Sequence, residues 1–205
     1  QSSQVLIMSS NIDDLLSKIR SLEQELIEEI QSQQDAFAYE IHQKRILFEK
    51  QVIQQHKIYV QQLLDYLNTA SLKNILSAPV IWAVFIPAVL LDLGVTLYQA
   101  ICFPIYGIPK VKRADYIIFD RQYLNYLNII EKINCAYCSY FNGIIAYIQE
   151  VAARTEQYWC PIKHARHIST LHSRYQNFLD YGDAKSYRQH KEKIRKQFDD
   201  IDQEN

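Results

Sequence analysis

Between Asn11 and Leu67 apolar residues recur at helical spacing, with Ile12, Leu15, Ile19, Leu22, Leu26 and Ile30 stepping three or four residues at a time. The series continues through Phe37, Ile41, Phe48, Val52, Tyr59, Leu63 and Leu67, where the steps slip. Gln, Glu and Lys fill the gaps, and neither proline nor glycine interrupts. This period predicts an amphipathic helix, and its early 3-4 alternation is that of a coiled coil. Ser10 and Asn11 suit the N-cap, with Asp13 and Asp14 in the first turn, where the helix dipole favours negative charge. Unbroken, the arm would extend about 80 Å. A lone helix of that length has nothing against which to bury its stripe. Two arrangements supply a partner: a hairpin turning near Ser32 to Asp35, or a homo-oligomeric coiled coil through residues 12–67. The expectation leans to the second.

The pattern then changes. Residues 74–109 carry a single charge, Asp92. That is about 36 residues, against the ~20 that cross a bilayer once. Pro79, Pro87 and Pro104 interrupt the stretch, and Gly94 and Gly107 loosen it. Lys73 flanks one end and Lys110, Lys112 and Arg113 the other, so the positive-inside rule sets both ends on the cytoplasmic side. Length, prolines and charges together predict a re-entrant hairpin in the lipid bilayer with Asp92 near its turn. A single tilted span and a buried core hairpin are the alternatives. Trp82 and Tyr98 suit the membrane interface, where part-apolar aromatic rings gather. Asp92 reads as a snorkelling turn residue, or as a functional group, because intramembrane carboxylates are costly.

From Ala114 to Trp159 the sequence reads helical again, with Asn142-Gly143 as a turn signal that a helix could also carry. Residues 185–196 are basic and precede an acidic end. Four glycines and five prolines leave too few turns for a many-stranded fold. The class is therefore all-α: an amphipathic arm (1–70), a Pro-broken membrane segment (71–113), a Cys/His-bearing helical bundle or hairpin (114–184) and a charged tail (185–205). A net charge of −1 gives no reason to expect a nucleic-acid partner. Fifteen tyrosines suit surfaces that are part wet and part apolar.

One constellation carries chemistry. Cys135 and Cys138 form C-x2-C, and after a gap of 21 residues Cys160 and His164 form C-x3-H. Three thiolates and an imidazole are the donor set of a structural zinc site. Glu131, Glu150 and His167 are further candidates, and with His164 they would make a carboxylate/histidine site for iron in a helix bundle. The Glu-x-x-His pair of such sites is absent. Geometry constrains both. A straight helix would hold Cys138 and Cys160 roughly 33 Å apart. A turn at Asn142-Gly143 would instead set Glu131 opposite Arg154, and Cys160 would still need a fold-back or a second subunit. No P-loop, G-x-G-x-x-G, G-x-S-x-G or H-E-x-x-H motif occurs, so no catalytic residue is assigned.

The runs F-P-I-Y-G-I-P-K-V from Phe103, D-R-Q-Y-L-N-Y-L-N from Asp120, E-K-I-N-C-A-Y-C from Glu131 and A-R-T-E-Q-Y-W-C-P-I-K-H-A from Ala153 resemble a group of small uncharacterised bacterial membrane-associated proteins. The resemblance covers a little under a third of the chain and implies a bacterial source. The sequence thus leads to a self-assembling membrane-attached scaffold with a structural zinc. A membrane-bound metalloenzyme or redox protein, and an oligomeric channel with Asp92 near its pore, are the competing readings.

Overall fold

The computed structural model describes residues 15, 17–19, 21–32, 39–42, 45–48 and 71–201. The chain divides into two units, Gln1–Val60 and Gln61–Asn205. The fold is all-α, with one short exception in the first unit.

In that unit residues 21–32 form helix α1. Leu22, Leu26 and Ile30, with Leu15 and Ile19 before them, stand about half exposed, so the predicted stripe is a face. Gln24 Nε2 donates to Glu28 one turn on, at 2.9 Å, a pairing that stabilises a helix by a few tenths of a kcal/mol at about 0.2–0.5. The exception is a hairpin: β1 (Tyr39–His42) pairs antiparallel with β2 (Arg45–Phe48), Ile41 opposite Ile46. It departs from the continuous helix read through Ile41 and Phe48. Tyr-Glu-Ile-His alternates apolar with polar, the period of a strand, and both runs are rich in β-branched and aromatic residues. The turn expected from Ser32 to Asp35, the caps Ser10 and Asn11, and the arm beyond Phe48 fall outside the described residues.

The second unit opens with a long apolar rod. Helices α2 (Leu72–Ala83) and α3 (Phe85–Tyr106) are separated only by Val84. Pro87 explains the interruption. Its ring would collide with the carbonyl of Ala83 four residues back, so the helix restarts with Pro87 in its first turn, where no N–H is needed. Gly107, at φ 67°, closes α3 in the left-handed region, and the Ile108 N–H bonds the Phe103 carbonyl at 2.9 Å. This is the Schellman closure that glycine permits.

One expectation is corrected by these helices, and one open alternative is decided. The hairpin turn placed near Asp92 does not form, since α3 runs unbroken through Asp92 and Gly94. One helical glycine costs only about 1 kcal/mol, too little to turn a chain whose nearby proline sits harmlessly at a helix start. Helix α4 (Ile129–Trp159) is continuous through Asn142-Gly143, so the pair is carried within a helix and forms no turn. It begins later than Ala114, at a capping box: the Asn128 side chain accepts the Glu131 N–H at 3.0 Å, and the Glu131 carboxylate accepts the Asn128 N–H at 2.8 Å.

The strap between α3 and α4, residues 107–128, is irregular apart from two 3-10 turns at Arg113–Asp115 and Arg121–Tyr123. It lets α3 and α4 lie parallel. Phe85 meets Tyr140, Gln99 meets Tyr147, and Tyr106 meets Tyr158, all rising in number together. The strap returns in the opposite sense: Pro109 lies by Arg154, Val111 by Gln99, Arg113 by Asp92, and Ile117 by Gly143. Phe103, Ile108, Val111, Ile117, Ile144, Tyr147 and Val151 fill the space between the three.

Beyond α4 the chain makes a single parallel bridge between Ile162 and Leu179. Helix α5 (Ala184–Ile194) follows, capped by Asp183, whose carboxylate accepts the Ser186 N–H. Most of α5 is solvated and basic, as the tail's composition implies, but Ile194 and Phe198 are buried.

Candidate functional site

Three polar side chains of α3, Asp92, Thr96 and Gln99, turn toward the strap and α4. Asp92, 7% exposed, accepts from Arg113 Nη2 at 2.6 Å and Nε at 3.0 Å, from the Tyr140 hydroxyl at 2.9 Å, and from Thr96 at 3.3 Å. Gln99 grips the strap backbone from both sides of its amide. Its Oε1 accepts the Val111 N–H at 2.7 Å, and its Nε2 donates to the Val111 carbonyl at 3.1 Å and to the Tyr147 hydroxyl at 3.0 Å. These bonds satisfy a strap whose backbone would otherwise be buried without partners.

A second polar core joins α4 to the C-terminal segment. Gln157 is fully buried and donates to the carbonyls of Ile194 and Gln197 at 2.9 and 2.7 Å. Its Oε1 accepts from Arg174 Nε at 2.6 Å, and the rest of that buried guanidinium bonds Asp200 and the Gln197 carbonyl. Arg154 bonds Glu150 at 2.8 Å and reaches the carbonyls of Pro109 and Lys110. Glu150 also accepts from Ser173.

Against these cores stands the rod's outer face. Fourteen large apolar side chains between Leu72 and Ile105 are 42–70% exposed. Residues 75–106 form a helix long and apolar enough to cross a membrane, with a mean hydropathy of 2.2. Soluble monomers rarely expose a contiguous apolar patch above a few hundred Å², roughly 300–600 at most. Aromatic rings gather partway along this face and at its far end. Trp82 lies 5.0 Å from Tyr137, and Trp159 lies 5.2 Å from Tyr106.

The predicted metal residues do not converge. Cys135 and Cys138 lie one turn apart on α4, while Cys160 caps its far end, roughly 33 Å away by helical rise. Glu131 is spent in the capping box and does not meet Arg154, which takes Glu150 one turn before it. His164 and His167 are exposed, and the His164 backbone N–H bonds the Tyr175 hydroxyl at 2.8 Å. Among the described residues no three His, Cys, Asp or Glu side chains are grouped as a metal would need. The donor set therefore does not fit one zinc or iron within a chain. Of the membrane residues, Asp92 and Arg113 meet directly, and the Tyr98 hydroxyl lies 3.2 Å from that of Thr155. The Lys110 carbonyl serves Arg154, while its side chain and that of Lys112 are exposed.

Sequence reasoning passed over Gln99, Tyr140, Gln157 and Arg174. Gln99 had a visible signal: like Asp92 and Thr96, it is polar inside an apolar run, and the three share one helix face by spacing.

No family model matches the chain, and no curated protein or solved structure shows significant similarity to it.

His172 supplies a pH dependence. Its Nδ1 accepts the Arg174 N–H at 3.2 Å, leaving the neutral ring's proton on Nε2, 3.2 Å from Glu156. Burial lowers its pKa and outweighs the opposing pull of Glu156 and Glu150. The unfolded chain therefore takes up this proton first. Stability should be full above the ordinary histidine value of about 6.5 and decline as pH falls through the lower, folded value. His172→Gln should flatten that decline in melts recorded from pH 7.5 to 5. An identical slope in the variant would place the dependence elsewhere.

Proposed function

We propose that this chain is a membrane-attached helical protein that acts at the bilayer surface as a scaffold, not as a catalyst. The observation that carries the reading is the segregation along residues 72–106. Asp92 and Gln99 face protein, while the opposite face is apolar and exposed. A helix that must meet water does not place its polar side chains inward and its leucines outward. Asp92, Glu150, Gln157 and Arg174 are all held by structural partners, which favours a framework role for them. The exposed stripe of α1 supports self-association through the arm, as does the coiled-coil spacing of its sequence. Zinc is not part of this proposal, because α4 holds Cys138 and Cys160 roughly 33 Å apart.

Liposome flotation tests the attachment. The parent chain should float with the vesicles. Leu90→Glu with Leu97→Glu puts two carboxylates on the outer face, each costing about 2.5–3.5 kcal/mol in hydrocarbon. The double variant should be recovered mainly in the unbound fraction, with its helix content unchanged. Equal flotation of the two proteins would refute the assignment of this face to lipid.

A further inference from the structure

We infer that the rod lies in the plane of the membrane, embedded by its outer face, and does not cross the bilayer. The inference rests on the membrane attachment proposed above and specifies its geometry. Hydropathy alone would make residues 75–106 a span. What lies beside the rod's midpoint argues otherwise.

Asp92 is 17 residues from Ile75 and 14 from Tyr106, about 21–25 Å from either end by helical rise. In a crossing rod the middle of the hydrocarbon, about 30 Å thick, would therefore fall close to Asp92. The Asp92–Arg113 bond holds the strap at that level. Arg113 keeps 44% of its side chain exposed, and its neighbours Lys112 and Asp115 are exposed too. A crossing rod would turn these charges toward lipid at the bilayer centre, where they are least tolerated. Parallel packing extends the conflict along the rod's length, because α4 runs beside it with exposed Asn142 and Gln149.

An in-plane rod removes the conflict. Residues such as Ile86, Leu90, Leu97, Ile101 and Ile105 occupy an arc of roughly 100° and sink below the headgroups, about 5–10 Å deep. The strap and α4 then sit above them in water and headgroups. Lys73, at one end of the rod, and Lys110 and Lys112, after the other, come to the same side, where an anionic surface attracts them. Those charges favour a lipid surface over a second copy of the rod.

Depth measurement distinguishes the two orientations whichever way the protein inserts. Trp82 and Trp159 are replaced by Phe in the full chain, and a single tryptophan is introduced as Leu90→Trp, Leu97→Trp or Ile105→Trp. Each is quenched in phosphatidylcholine/phosphatidylglycerol vesicles carrying bromines at different acyl depths. An in-plane rod gives one shallow depth for all three. A crossing rod places Leu90→Trp deep and Ile105→Trp shallow, and that gradient would overturn the inference. A second readout needs no tryptophan. With the four native cysteines replaced by serine, Ala114→Cys should react on bound protein with a membrane-impermeant maleimide as fast as it does in detergent. Protection until detergent is added also overturns the in-plane rod. Failure of the parent chain to bind vesicles would instead remove the membrane attachment itself, and a dimer in lipid-free solution that Leu90→Glu with Leu97→Glu abolishes would assign the face to a second copy.

Discussion

Arg113→Leu is expected to destabilise the second unit by about 3 kcal/mol. Breaking a buried pair from one side typically costs about 3–5 kcal/mol, because a charge is left without compensation. The lower end applies here, since Arg113 is itself half exposed and only Asp92 is buried. Tyr140 and Thr96 would still bond Asp92, but neither carries charge. The double variant Arg113→Leu with Asp92→Asn should recover more than half of the loss, since no carboxylate remains to be desolvated. Thermal melts in one mild detergent measure both. Limited proteolysis adds a local readout, because the strap between residues 112 and 126 should be cut faster in the single variant. Equal stability of the single and double variants would show that Asp92 is not held by this pair.

Gly143→Ala should also destabilise, against the direction that helix propensity sets. An exposed helical glycine replaced by alanine gains up to about 1 kcal/mol. At position 143 the added Cβ would stand 2.6 Å from the Tyr116 carbonyl oxygen and 2.9 Å from the Ile117 Cα. Both are backbone atoms of the strap and cannot swing aside. Overpacking of this kind costs typically 1–3 kcal/mol, so a net loss of about 2 kcal/mol is expected. Gly94→Ala is the control, for its Cβ would meet nothing within 4 Å. It should melt at or above the parent temperature. A stabilised Gly143→Ala would mean that the strap does not seat against α4.

These two positions show where the sequence misleads and why. Asn142-Gly143 carries the composition of a turn, yet its glycine is there so that another backbone can pass close by. A turn and a close approach both call for a missing Cβ, and one sequence does not distinguish them. Asp92 was visible as the lone charge of an apolar run, and Arg113 as one of the cations at its end. Their bond was not, because 21 residues and a helix terminus separate them. Gln157 and Arg174 carried no signal of burial, since each looks like surface until its partners are in place. The cysteines are a different case. Their spacing is chemically suggestive, but α4 is continuous and holds Cys138 and Cys160 roughly 33 Å apart.

What the sequence determined by itself was local. The scarcity of glycine and proline made the fold helical, the 3-4 spacing placed an apolar stripe on α1, and the apolar stretch with its single charge made a segment fit for lipid. Each follows from periodicity and composition within one or two turns of chain. The tertiary structure decided what depends on distant partners: that α3 and α4 lie parallel with a strap between them, and that Asp92 and Gln99 of the rod face inward. It also set charged residues level with the rod's midpoint, because the bond from Arg113 to Asp92 draws the strap there. Hydropathy cannot register that placement, for it counts residues along the chain and not the neighbours packed beside them.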